Sequence, residues 1–329
     1  MPNLLLNPGP TNTRLMTKIR QWQGSDNCHR EENFKNILES LQHKLLSCVD
    51  FGSEGRVAIM CGSGTAAMEA MITSLIPSGI TLINAGSYGS RAAQIFETFG
   101  IQYTTVKSST IDDLSKCEDT RFIYFVENET STGEHYSLDK MCEIYPNARF
   151  FIDATSAFGA SDYKNNGHRI AALSLCSNKC LQSTPGLGIV LWEASLNTYK
   201  RTFYGDVSKY RIGELPFTLP TQSVYALEYS IDKSKNNKHL FNKRRNALIQ
   251  DMSKNGIECL NKHPSNSIIA FQHPKMQYQE LHDFLLNKGV VIYSGVSGVD
   301  RSFRVATMSV LFDKKYDYII RCFNDSCIC

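Results

Sequence analysis

Two short apolar runs in the middle of the chain constrain it most: residues 150–152 end in Asp153, and residues 170–175 are followed by Cys176 and then Ser177-Asn178-Lys179. Each run has the length of a buried strand, so the pattern predicts an aspartate and a lysine at the carboxyl ends of two core strands, 26 residues apart. Such a pair meets the needs of pyridoxal phosphate chemistry. A lysine amine forms the Schiff base, and a carboxylate keeps the pyridinium nitrogen protonated so that the ring accepts electrons. An aspartate that caps a strand beside a solvated loop lysine would read the same way, so the pair has to be weighed against the rest of the chain.

That rest repeats one unit. The periodic Phe34, Ile37, Leu38, Leu41 and Leu45 predict a helix over 33–48, and the apolar run 57–60 then leads into Cys61-Gly62-Ser63-Gly64-Thr65 and a helix-like AAMEAMITSLI. A strand, a Gly-Ser-Gly-Thr turn and a helix suit a phosphate: glycines let the backbone approach, hydroxyls donate, and the helix start favours an anion. A strand over 80–83 runs into Asn84-Ala85-Gly86-Ser87-Tyr88-Gly89-Ser90, where Tyr88 offers a ring to a flat cofactor. Another over 122–126 runs into Glu127-Asn128-Glu129-Thr130-Ser131-Thr132-Gly133. Polar loops always at the same strand end predict an α/β fold, an open parallel sheet with ligands at its carboxyl edge. Beyond Leu191 the pattern changes to a loop-rich stretch reaching Pro220 and one long helical run over 222–256. Strands over 268–271, 290–293 and 303–307 with a helix over 278–288 then predict an α+β layout. At the start, Asn7-Pro8-Gly9-Pro10-Thr11 forbids helix and predicts a rigid arm able to cross a site mouth.

A chain of 329 residues, 42% hydrophobic and 20% charged, reads as folded throughout and exceeds one small core. The expected division is an arm over 1–20 joining the small domain, a large cofactor-binding domain over 21–225 and a small α+β domain over 226–329. Net charge is +3 without a long basic block, and the densest basic run, 233–245, reads as a solvated helix face, which argues against nucleic acid. The N-terminal apolar stretch is three residues long and nowhere do about 18 apolar residues run together, so neither a signal peptide nor a membrane span is expected, and a cytoplasmic location is. Eleven cysteines are scattered with no CxxC, and Cys176/Cys180 and Cys327/Cys329 lack a second ligand pair. They are expected to be free thiols, mostly buried, with no metal site.

Motifs over nearly the whole length resemble the fold-type I, class V aminotransferases, and within them the 2-aminoethylphosphonate–pyruvate transaminase subgroup. They stand as Leu5-Leu6-Asn7-Pro8-Gly9-Pro10, Gly62-Ser63-Gly64-Thr65, Gly86-Ser87-Tyr88-Gly89, Glu129-Thr130-Ser131-Thr132-Gly133 and Asp153-Ala154-Thr155-Ser156-Ala157-Phe158-Gly159, in family order. Ser177-Asn178-Lys179-Cys180-Leu181-Gln182-Ser183-Thr184-Pro185-Gly186 and Phe303-Arg304-Val305 complete the set. The resemblance implies a mostly parallel seven-stranded sheet between helices, pyridoxal 5′-phosphate as cofactor, a homodimer, and transfer of an amino group between small molecules. It also implies residue roles. Lys179 would carry the cofactor and shuttle the proton, Asp153 would pair with the ring nitrogen, and Tyr88 would stack on the ring. Ser63, Gly64 and Thr65 would hold the phosphate, with Thr130, Thr155 and Ser177 also at the cofactor. Thr221 would reach the neighbouring subunit's cofactor, and Arg304, Pro10 and Thr11 would bind substrate, Arg304 as clamp for an acidic group. The subgroup's Trp-Arg-Phe is replaced by Leu215-Pro216-Phe217, which removes a basic residue and keeps an alanine–glyoxylate or serine–pyruvate type of aminotransferase as the alternative.

Overall fold

The structure is a computed structural model and describes residues 3–116, 120–235 and 237–328. Apart from the two-residue strands Asn128–Glu129 and Glu134–His135, which pair with each other, its strands are, in chain order, β1 (Leu4–Leu5), β2 (Gly55–Cys61), β3 (Ile80–Asn84), β4 (Tyr103–Lys107), β5 (Phe122–Val126), β6 (Arg149–Asp153), β7 (Ile170–Cys176) and β8 (Leu187–Glu193). The later ones are β9 (Glu258–Cys259), β10 (Ile268–Gln272), β11 (Val290–Val291), β12 (Tyr293–Ser294) and β13 (Ser302–Ala306). The helices are α1 (Leu15–Gln23), α2 (Glu32–Leu46), α3 (Gly64–Leu75), α4 (Ser87–Thr98), α5 (Leu138–Ile144), α6 (Thr221–Ser234), α7 (Lys238–Ser253), α8 (Tyr278–Asn287) and α9 (Tyr316–Ile328).

Strands β2 to β8 form a seven-stranded sheet in the order β2-β8-β7-β6-β5-β3-β4. Neighbours from β7 to β4 pair in parallel, while β8 runs antiparallel to both β2 and β7. Side chains alternate between two cores, as a two-residue period requires. Phe150, Ile152, Leu173 and Leu175 pack with α2 and α6 on one face. Phe151, Ala172, Tyr124 and Leu82 pack with α3 and α4 on the other. Helices on both faces explain why every residue of β7 and β8 is buried.

A four-stranded sheet in the order β9-β10-β13-β12 follows, its core closed by Phe271, Phe303 and Phe323, whose rings stack at centroid distances of 5.8 and 5.5 Å. The arm is tied to this part of the molecule, because β1 pairs in parallel with β11.

Two of the elements expected from sequence are divided in the structure. The helical run over 222–256 is two helices: Lys235 turns extended after α6, and the Asn237 amide side chain donates to the Lys233 carbonyl at 2.9 Å, closing the helix end. The break lets α6 pack on α1 and α2 while α7 packs on α9 and β9. The strand over 290–293 also divides, Val290–Val291 pairing with the arm and Tyr293–Ser294 with β13. The nine described cysteines are free; four are buried, three half-buried and two exposed, fewer buried than expected, and Cys117 and Cys329 lie outside the described residues. Among the described residues no helix is long and apolar enough to cross a membrane.

Candidate active site

The carboxyl edge of the seven-stranded sheet holds a cavity of about 190 Å³ lined by Ser63, Gly64, Thr65, Tyr88, Thr130, Asp153, Thr155 and Lys179, together with Met68, Arg91, Val126, Asn128, Ser156, Cys176 and Asn178. Most come from a strand end or the turn behind it, where parallel topology aims successive loops at one place, while Met68, Tyr88 and Arg91 come from the first turns of α3 and α4. Asp153 closes β6, and β7 delivers the turn with Lys179. Ser63 precedes the first turn of α3, which Gly64 and Thr65 begin.

Two close approaches dictate glycine here. A Cβ on Gly64 would lie 2.7 Å from Thr155 Cγ2 and 2.9 Å from its Oγ1. Gly9, at φ +128°, brings the arm so near the lysine that a Cβ would sit 2.8 Å from Lys179 Nζ. The same approach lets Lys179 Nζ donate to the Pro8 carbonyl.

Asp153 is 3% exposed and has no cationic partner among the described residues. Its Oδ1 accepts the Thr155 N–H at 2.9 Å and the Ser174 hydroxyl at 3.5 Å. Burial pushes its pKa up to about 6, the Thr155 contact offsetting only part of the desolvation. Thr155 Oγ1 is buried without a hydrogen-bond partner among the described residues. A buried acid lacking a cation, beside an orphaned hydroxyl, is a donor set that a protonated ring nitrogen and its polar neighbours would satisfy.

Tyr88 is held by its backbone. The buried Glu129 carboxylate accepts the N–H groups of Tyr88 at 3.1 Å, Gly89 at 3.2 Å and Ser131 at 3.1 Å, and the Ser131 hydroxyl at 2.5 Å. An acidic group at the free N–H groups of α4 satisfies them and suits the helix dipole.

The other residues singled out by sequence lie outside this lining. Ser177 is buried beneath the lysine turn, donating to the Thr184 carbonyl at 2.6 Å. Thr221 begins α6 and donates to the Gly24 carbonyl at 2.7 Å. Pro10 is exposed and Thr11 buried, both on the arm beyond Gly9. Arg304, 7% exposed, lines an adjoining pocket of about 440 Å³ with Ser87, Ser131 and Ser294. Its guanidinium donates to the Thr130 and Ser294 carbonyls, which ties it to the loop lining the first cavity. Sequence reasoning passed over Arg91 and Asn128. Arg91 stands three residues after Tyr88 on α4, one turn along the same helix face, and that spacing was the available signal.

No family model matches the chain. The 2-aminoethylphosphonate–pyruvate transaminase of Pseudomonas fluorescens is 30% identical to it, over 92% of this chain and 90% of that one. The enzyme of the same name from Bacillus cereus is 26% identical, covering 97% and 96%. Among solved structures, an aspartate aminotransferase of subgroup IV from Thermus thermophilus superposes with a TM-score of 0.88 over 99% of both chains at 21% identity, which speaks for the fold. With 30% identity sustained across nine-tenths of its length, the chain belongs to the family of class V, fold-type I aminotransferases that includes the 2-aminoethylphosphonate–pyruvate transaminases.

Proposed function

We propose that the protein is a pyridoxal 5′-phosphate-dependent transaminase that moves the amino group of 2-aminoethylphosphonate to pyruvate, giving phosphonoacetaldehyde and alanine. The observation carrying this reading is the convergence of Lys179, Asp153 and the start of α3 on one cavity, in a chain whose relatives bear that activity's name. Ser63, Gly64 and Thr65 would hold the cofactor phosphate, Tyr88 would face the ring, and Thr130 and Thr155 would meet its polar edge. When bound, the cofactor supplies an electron sink for the charge left as the donor loses its α-proton. Asp153 would keep the ring nitrogen protonated, the cation then relieving the cost of burying its carboxylate. Lys179 would hold the cofactor until a donor amine displaces it, after which Nζ would take the α-proton from the donor and pass it to the cofactor carbon that had carried the aldehyde, across the shared nitrogen. The Pro8 carbonyl keeps that amine at the cavity.

The guanidinium N–H groups of Arg304 not taken by Thr130 and Ser294 would meet the donor phosphonate and the acceptor carboxylate in turn, with Pro10 and Thr11 on the arm alongside. Thr221 would complete the partner's phosphate site in a homodimer, a reading that light scattering showing an active monomer would overturn. We also propose a large N-terminal part and a smaller C-terminal one, the arm belonging to the latter through β1 and β11; the border expected at residue 225 falls inside α6, whose Val224, Leu227 and Ile231 pack in the core of the seven-stranded sheet, so we place it between α6 and α7.

The test is the visible spectrum of the cofactor-loaded protein while amino donors are added one at a time. 2-Aminoethylphosphonate should bleach the bound cofactor's absorbance and pyruvate restore it. A protein that turns over L-alanine with glyoxylate far faster would instead be an alanine–glyoxylate type of aminotransferase, the alternative that the loss of a basic residue at Leu215-Pro216-Phe217 keeps open.

A further inference from the structure

We infer that Arg91 sets how tightly the cavity holds a phosphate monoester, acting through the Thr65 hydroxyl, which it obliges to be a donor toward that group. The inference rests on the cofactor reading above.

Arg91 lines the same cavity as Ser63, Gly64 and Thr65, and its Nη1 donates to Thr65 Oγ1 at 3.0 Å. A guanidinium has no acceptor, so this bond occupies a lone pair of the threonine oxygen and leaves the hydroxyl proton to be offered elsewhere. A free threonine hydroxyl can serve as donor or acceptor; this one is biased to donate. It stands at the beginning of the 12-residue α3, where backbone N–H groups also present positive ends to an anion.

The guanidinium itself is held in place. Its carbon lies 4.7 Å from the centroid of the Tyr88 ring, over its face, and Tyr88 is carried on the helix start that Glu129 secures. Among the described residues no carboxylate pairs with Arg91. The one acid in the cavity lining, Asp153, accepts its hydrogen bonds from Thr155 and Ser174. The Arg91 charge therefore stays uncompensated beside Thr65, which disfavours an empty site and favours a dianion. Arg91 is a positioning residue whose effect should fall on the phosphate and leave the ring untouched.

Comparing pyridoxal 5′-phosphate with pyridoxal, which lacks the phosphate, isolates that effect. Dissociation constants from absorbance titration of the cofactor-free protein are the readout, with no turnover involved. Arg91→Met should weaken pyridoxal phosphate roughly tenfold to 150-fold, the range of a charge-assisted hydrogen bond, and leave pyridoxal within about twofold. Arg91→Lys, which keeps the charge without the planar fork, should recover part of the loss. In a Thr65→Val background, where the hydroxyl is gone, Arg91→Met should cost much less. Equal weakening of both ligands would reduce Arg91 to a prop for Tyr88 and overturn the inference. So would no weakening, or full additivity with Thr65→Val. Failure of the wild-type protein to bind pyridoxal phosphate would remove the cofactor reading itself, a result visible before any Arg91 variant is measured. If Arg91→Met does not fold, Arg91→Gln carries the same comparison.

Discussion

The carboxyl edge of the seven-stranded sheet and the seam between α7 and the four-stranded sheet each bury a charged side chain, and treat it in opposite ways. Arg244 on α7 is 5% exposed and finds its counter-charge within the protein. Its Nε and Nη2 donate to the Asp313 carboxylate at 3.0 and 2.6 Å, and its Nη1 to the Thr307 carbonyl at 2.7 Å. Asp153, 3% exposed, has two hydrogen bonds and no cation, and burial raises its pKa to about 6. A buried charge that finds its counter-charge within the chain is part of the architecture. One left without it costs stability until a ligand brings the missing charge. The difference supports the proposal that the sheet edge is the working region and the seam scaffold.

Lys179→Ala is the hardest blow to that contrast. Transamination should fall by at least roughly a thousandfold, as loss of both a covalent anchor and a proton carrier implies. The urea midpoint of the cofactor-free protein should hardly move, since the lysine's side-chain bond is to the Pro8 carbonyl. Borohydride treatment followed by peptide mass spectrometry should find the wild-type cofactor fixed at Lys179. Label on another lysine would dissolve the distinction between the two regions.

Arg244→Met tests the other side. Stability should drop by about 2 to 3 kcal/mol, the worth of hydrogen bonds to a charged group, because the buried partner is removed while Asp313, with a side chain 58% exposed, returns to water. Activity per folded molecule should be unchanged. A variant that folds normally but turns over slowly would mean that the seam reaches the site.

Arg304→Leu lies between the two regions, on β13 of the four-stranded sheet yet bonded to the loop of Thr130. It should lower kcat/KM by roughly tenfold to 150-fold in both half-reactions and leave the spectrum of the bound cofactor as it is. Wild-type turnover would assign Arg304 to the scaffold along with Arg244.

The same contrast governs what could be read from the sequence. Local signals carried the cavity: strand, turn and helix succeed one another within a few residues at Ser63 to Thr65 and at Tyr88, and the runs ending at Asp153 and before Lys179 are short and apolar. Long-range pairing left no such signal. The run of β8 is as apolar as its neighbours, and nothing in it announces that it lies antiparallel between them. β4 went unnoticed because an edge strand with three of five residues exposed lacks an apolar run. The approach of Gly9 to Lys179 joins residues 170 apart, and the bond from Arg91 to Thr65 joins two helices, so each needed the fold before it could be seen.

The smallest effect follows from the pKa of Asp153. In the cofactor-free protein burial raises this carboxyl from 3.8 to about 6, so between those values the folded chain binds a proton that the unfolded chain has released. The contribution of Asp153 to stability is therefore fully present below about pH 4 and is lost as the pH rises through about 6. Asp153→Asn cannot ionise, while its amide oxygen can still accept the Thr155 N–H. The stability of the variant minus that of the wild type should accordingly be near zero at about pH 4 and grow to about 1 to 3 kcal/mol by about pH 7.5, where a unit of pKa is worth about 1.4 kcal/mol. Urea titrations of both cofactor-free proteins across that range measure it. Saturating pyridoxal phosphate should reverse the order at neutral pH, because the cation that the wild-type carboxylate lacks would then be supplied by the ring nitrogen, and the amide has no charge with which to answer it. A difference independent of pH, with or without the cofactor, would show that Asp153 is as fully compensated as Arg244, and the distinction between a working edge and a scaffold would lose its physical basis.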